Sequence, residues 1–261
     1  MVAVLVGLYL VSTIAHLYTF IRRQSSASYA SAISLVGIIS LVGGFLLHTA
    51  MLGVSFTDVE AKGWSVWLSA LAWVIILLYL IVFFRYRDMS LGGFAVPAGF
   101  VLGGYGSSFP GVWGAGSPEV QGYLLTGHAV LAVLSGASFF LLFGFSLMYI
   151  VQSRELKSRR PSAWLHRLPS LDVLDDLNHK ILYFGFAFLT AGLLVGSMWA
   201  KSKYGAYWSL YPMKTWPLVI IWAAYGVLLV CRVTRSWKGK RSAVFSVIAF
   251  VAVVFAVAVH L

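Results

Sequence analysis

The chain has 261 residues, of which 60% are hydrophobic and only 10% charged, and its formal net charge is +11. Ordinary soluble domains carry about 25% charged residues, so this composition excludes a soluble globular protein and marks an integral membrane protein. The lone cysteine, Cys231, excludes an internal disulfide, a CxxC redox pair and a CxxCH haem-attachment motif.

A helix needs about 20 apolar residues to cross the roughly 30 Å hydrocarbon core. In chain order such runs occupy residues 2–20, 30–53, 64–84, 122–151, 181–200, 216–231 and 243–261. The first resembles a signal peptide in position, but Arg22 and Arg23 follow its apolar run instead of preceding it, so it is expected to persist as a helix. An eighth run, 91–105, is weakened as a helix by Gly92, Gly93, Gly99, Gly103, Gly104 and Pro97.

Charge decides whether that run crosses, because Lys and Arg concentrate in cytoplasmic loops. With eight spans, only Lys62, Lys201, Lys203 and Lys214 face outward, and the other 15 of the 19 Lys and Arg face inward. Without the fourth crossing the split falls to 12 against 7. The expected fold is therefore an all-α bundle of eight transmembrane helices in one domain, with both termini on the outer, periplasmic side of a bacterial inner membrane. Residues 152–180 form a cytoplasmic loop and 201–215 an outer loop. The positive charge then faces anionic lipid, not nucleic acid.

This topology sorts the histidines by depth. His16 lies near the inner end of the first span and His48 in the outer half of the second. His128 falls in the first turns of the fifth, near the outer surface. The inner segment opens on RELKSRR and closes on LDVLDDLNHK, where Asp172, Asp175 and Asp176 suit the positive end of a helix dipole. It is either a solvated loop or a docking surface for a cytoplasmic partner. His179 stands at the inner entrance of the sixth span, and His260 closes the chain at the outer face.

The outer stretch GSMWAKSKYGAYWSLYPMKTW, residues 196–216, gathers Trp199, Tyr204, Tyr207, Trp208, Tyr211 and Trp216 with three lysines and no acid. Trp and Tyr favour the membrane–water boundary, so an aromatic belt accounts for it. Stacked rings flanked by cations also suit a flat ligand bearing acidic groups. His128 and His260 lie at the same depth, and two imidazoles can bind a haem iron from opposite sides. Zinc is less well served, since the outer face adds only Asp58, Glu60 and Glu119. No Asp or Glu lies inside a span, which weighs against proton-coupled transport. The glycine-rich fourth span keeps a solute transporter as a third possibility. No GxxxxGK[ST], HExxH or GxSxG motif is present, which favours a handling or regulatory protein over an enzyme.

The stretch from Gly196 to Trp216 resembles the tryptophan-rich motif, roughly GxxWAxxxWGxYWSWDPKETW, of the cytochrome c assembly family of haem-handling membrane proteins. LDDLNHKILYFGFAFLTAGLLVGSMWA before it and SWKGKRSA after it are most similar to the shorter, HemX/YpjD-type members. The resemblance implies non-covalent, b-type haem held on the outer face between two histidines, matched here by His128 and His260. The motif positions Trp199, Tyr207, Trp208 and Trp216 form the cradle, and His48 and His179 recur at comparable places. Leu210, Tyr211 and Met213 replace the usual Trp, Asp and Lys, and no histidine stands near Cys231, where full haem exporters carry one. Two roles follow. One is to assist cytochrome c assembly with a maturation partner protein. The other is a HemX-like regulation of haem biosynthesis through the level of glutamyl-tRNA reductase.

Overall fold

The computed structural model describes residues 1–22, 32–57, 64–108, 122–158, 168–205, 207, 212–234 and 237–260, with the side chains of 22, 55–57, 64, 212–215 and 256–260 outside that description. Among the described residues the fold is all-helical: α1 (Val2–Arg22), α2 (Ala32–Thr57), α3 (Trp64–Tyr86), α4 (Gly92–Ser108), α5 (Tyr123–Glu155), α6 (Leu171–Tyr204), α7 (Pro212–Val233) and α8 (Lys240–His260). Six of them, α1, α2, α3, α5, α6 and α7, are long and apolar enough to cross a membrane. The chain is an integral membrane protein. It divides into two compact modules, residues 1–117 with 155–169, and residues 118–154 with 170–261.

In the first module α1 packs against α2 and α4, and α3 against α4 and α2. The glycine-rich run is a helix after all, led in by a 3-10 turn at Met89–Leu91 that Asp88 caps by accepting from the Ser90 amide. Its glycines are contact surfaces. A Cβ on Gly106 would lie 2.6 Å from the Ser69 amide nitrogen and 2.7 Å from the Ser65 carbonyl oxygen, so α3 and α4 touch backbone to backbone. Small residues at such crossings are how apolar helices gain van der Waals contact where lipid is as oily as the protein.

In the second module Phe139, Leu142, Leu182, Ile221, Tyr225 and Leu228 form the core. Phe139 stacks on Tyr225 with centroids 3.8 Å apart. The helix α6 starts ten residues before the expected span and ends beyond it, and α5 runs on to Glu155, so the expected loop over 152–180 shrinks at both ends. The cause is local: Ser170 caps the start by accepting from the Val173 amide, and Asp172 sits in the first turn. Asp175 then binds the buried Arg232 of α7 at 2.8 Å and accepts from the Gly239 amide at 3.2 Å, which ties the segment down.

The two modules repeat one internal device. Gly44-Phe45-x3-Thr49-Ala50 on α2 recurs as Gly185-Phe186-x3-Thr190-Ala191 on α6, and Trp67-x5-Trp73 on α3 recurs as Trp216-x5-Trp222 on α7. Trp73 Nε1 donates to Thr49 Oγ1 at 2.8 Å, and Trp222 Nε1 to Thr190 Oγ1 at 2.9 Å. Each threonine hydroxyl donates in turn to the phenylalanine carbonyl one turn back, at 2.8 Å in both. Each phenylalanine stacks on its tryptophan, at 5.2 Å and 5.8 Å. Even the preceding glycine matches: Gly44 presses on Leu8 and Tyr9, and Gly185 on Ser138 and Phe139.

Candidate functional site

The aromatic stretch is built on the end of α6. Trp199 lies inside the helix, and Gly205 closes it in the left-handed conformation, φ 76°, where its amide donates to the Lys201 carbonyl. Only glycine adopts that conformation without strain. Lys201 and Lys203 occupy the last turn, where the helix dipole favours cations. Trp199 meets Tyr204 edge to face at 5.9 Å, with Lys203 Nζ 5.6 Å from each ring centre, and Lys201 Nζ donates to the Tyr207 hydroxyl at 2.7 Å. Trp216 projects from the first turns of α7 and is exposed. Trp208 lies outside the described residues.

His128 sits on the second turn of α5, half-buried, and its Nδ1 lies 2.8 Å from the carbonyl oxygen of Gly192 on α6. A carbonyl only accepts, so Nδ1 carries the proton and Nε2 carries the lone pair. Among the described residues Nε2 has no hydrogen-bond partner. The ring packs closely on Gly196 of α6, where a Cβ would fall 2.7 Å from Nδ1. Sequence reasoning singled out His128 and missed these two glycines, although the small-residue spacing of Gly192 and Gly196 before Trp199 was a signal for close helix contact. His260 is the last residue of α8, and its side chain is outside the described set.

His16 and His48 belong to the first module, wholly buried and fully engaged. His48 uses both nitrogens, Nδ1 with the Tyr9 hydroxyl at 3.0 Å and Nε2 with Ser69 Oγ at 2.7 Å. His16 donates from Nδ1 to the Ser12 carbonyl at 2.8 Å and accepts at Nε2 from the Tyr79 hydroxyl at 2.9 Å. Gly92 makes room for that pair, since a Cβ there would strike both Tyr79 and His16. Ser12 lies one turn before His16 on α1, but the Tyr79, Tyr9 and Ser69 contacts were not legible in the sequence, because each joins residues on separate helices.

His179 lines a cavity of about 480 Å³ in the second module with Asp172, Asp175, Asp176, Arg232 and Lys238. Asp176 is paired with Lys180 at 2.8 Å and Asp175 with Arg232 at 2.8 Å, so most of the charge there is compensated. Among the described residues no three of His, Cys, Asp and Glu group as metal ligands.

The family described as cytochrome C assembly protein matches residues 1–259 of the chain. The chain belongs to the cytochrome c assembly family. Its curated relatives include the cytochrome c biogenesis protein CcsA of Chlamydomonas reinhardtii, 29% identical over 71% of this chain and 53% of that protein. CcsA of Trieres chinensis is 26% identical over 69% of this chain and 67% of its own length. CcsA of Porphyra purpurea is 40% identical over 33% of this chain and 27% of its own. The chain thus spans between about a quarter and two thirds of the length of these cytochrome c assembly relatives.

Proposed function

We propose that this protein holds haem at the outer membrane face and assists cytochrome c assembly, with His128 as an iron ligand beside the tryptophan-rich stretch. The hydrogen bond from His128 Nδ1 to the Gly192 carbonyl carries the reading. A ligating imidazole almost always gives its second nitrogen to a carbonyl or carboxylate, which fixes the tautomer and aims the other lone pair at the metal. The imidazole therefore fits a haem iron, and bound haem would supply that iron. The chain's own task is to orient the imidazole, offer Trp199, Tyr207, Trp208 and Trp216 as faces for a flat ring, and place Lys201 and Lys203 for its carboxylates. The haem of this reading is non-covalent and b-type, in keeping with a sequence that carries no CxxCH.

His260 is the proposed second residue that would hold the iron. All eight helices span the bacterial inner membrane in this reading, with both termini outside, which the 15 to 4 distribution of Lys and Arg supports. His48 takes no ligand role here, since both of its nitrogens are engaged. The cavity around His179 favours a second reading, in which the inner face docks a cytoplasmic enzyme such as glutamyl-tRNA reductase and the protein acts as a HemX-like regulator.

Absorption spectra of the detergent-purified chain, oxidised and reduced, test the proposal. The expected result is a Soret band with low-spin features when reduced, at least 10-fold weaker in His128→Ala and partly restored by added imidazole. A chain that neither carries haem nor takes it up, with His128→Ala indistinguishable from native, overturns the haem reading. The regulatory reading then moves to variants of Arg154, Lys157, Arg159 and Arg160.

A further inference from the structure

We propose that the start of α8 is a binding site for an anionic phospholipid, whose phosphate meets Lys240 and Arg241 and whose acyl chain lies on Val244, Phe245 and Ile248. With Trp237, these residues line a cavity of about 500 Å³. Arg241, Val244, Phe245 and Ile248 fall at i, i+3, i+4 and i+7, so they make one stripe along α8, charged at its start and apolar beyond.

The charge is misplaced for a helix left to itself. The first turn of a helix favours acids, because its amides form the positive end of the dipole. The helix α6 obeys, with Ser170 as its cap and Asp172 in the first turn. The helix α8 instead starts on Lys240 and Arg241 with no acid in its first turn, and among the described residues neither cation has an ion-pair partner. Asp175 reaches this turn but already accepts from Arg232 and from the Gly239 amide. In the first module the turn between α3 and α4 brings its own acid, Asp88, as a cap. At α8 an anion from outside the chain satisfies the two side chains and the dipole together.

The groove is held in shape. The Trp237 amide donates to the Cys231 carbonyl at 3.1 Å, and the Trp237 ring meets Phe245 edge to face at 5.5 Å. Both rings pack against the core of the second module. Gly239 turns the chain at φ 60°, and a Cβ there would lie 2.5 Å from the Tyr149 hydroxyl. Val244 and Ile248 stay open beside this floor, at 37% and 62% exposure.

A soluble anion needs only the two cations. The apolar stripe that continues from them calls for a ligand with a hydrocarbon tail. Arg offers a phosphate two parallel N–H donors, Lys adds a point charge, and tryptophan prefers the depth where headgroup meets tail. Basic pockets at the cytoplasmic ends of membrane helices suit such headgroups, and the distribution of Lys and Arg supports placing this turn on that side.

The full chain in phosphatidylcholine nanodiscs, doped with brominated phosphatidylglycerol or brominated phosphatidylcholine, tests the site, because bromine quenches tryptophan at contact. The Trp237 signal is the difference between the native chain and Trp237→Phe. Brominated phosphatidylglycerol should quench it at a mole fraction roughly 10-fold below that needed with brominated phosphatidylcholine, and Lys240→Gln with Arg241→Gln should erase the preference. Lys238→Gln removes a charge from the same turn but lines a different cavity, and should keep it. Added inorganic phosphate should leave the quenching in place. The native comparison stands even where the double variant does not fold. Equal quenching by the two lipids overturns the site, as does loss of the preference in Lys238→Gln or displacement by inorganic phosphate.

Discussion

In the first module the Thr49–Trp73 clamp stands beside two buried histidines whose nitrogens are bonded to Tyr9, Ser69, Ser12 and Tyr79; in the second, the matching Thr190–Trp222 clamp stands beside Phe139, Leu142, Tyr225 and Leu228. One interhelix device thus serves two interiors of opposite chemistry. Polar groups cut off from water are costly unless paired, which is why each of the first module's imidazoles meets a partner at both nitrogens. The second module keeps His128 at the margin of α5, with one nitrogen tied and the other bare among the described residues. A buried, doubly bonded imidazole is suited to joining helices. A half-buried, singly bonded one is suited to taking a ligand.

The comparison can be broken most severely at the second module's charged tie. Asp175→Leu takes the counter-charge from Arg232, whose side chain is 5% exposed, and should cost about 3 kcal/mol, because the buried guanidinium keeps the residue-175 carbonyl but loses the carboxylate. Unfolding in a detergent titration measures it, and Lys180→Leu, which touches only an exposed pair, should change almost nothing.

Next in size is His48→Leu, which copies Leu189 into the first module. It leaves the Tyr9 hydroxyl without its bond to the ring, at about 1–3 kcal/mol, while Ser69 Oγ keeps Ser107 Oγ as a partner. If the interiors are interchangeable in kind, the combined Tyr9→Phe, His48→Leu and Ser69→Ala chain should recover most of that loss. A triple variant less stable than the single one would show that the first module needs its polar interior to fold.

Gly106→Ala should cost about 1–3 kcal/mol by forcing α3 and α4 apart, since the new methyl meets backbone. Gly7→Ala, with open space around it, should be silent in the same assay. The smallest effect sharpens the comparison most: Trp73→Phe and Trp222→Phe each remove one interhelix N–H to hydroxyl bond, at about 0.6 kcal/mol in a membrane. Equal shifts support a shared device, and a shift in one module alone separates them.

Much of this was legible from residues alone, and the exceptions share a cause. The apolar runs appear as helices in their expected places, because length and hydropathy are local properties. The glycines of α4 were read as weakness in a helix, yet they are the surface through which α3 and α1 approach; their meaning depends on a neighbour that the sequence does not name. The repeat was also overlooked. GFxxxTA is short, and Trp73 and Trp222 stand at different chain distances from Thr49 and Thr190, so only the common geometry makes the match evident.

By itself the sequence determined the membrane class, a helix in each apolar run and kinship with the cytochrome c assembly family. These follow from hydropathy and from short-range order. The tertiary structure alone decided which histidines are engaged and which is poised. An imidazole's role is set by what its two nitrogens meet, and the partners are remote in the chain: Tyr79 lies 63 residues from His16, and Gly192 lies 64 from His128.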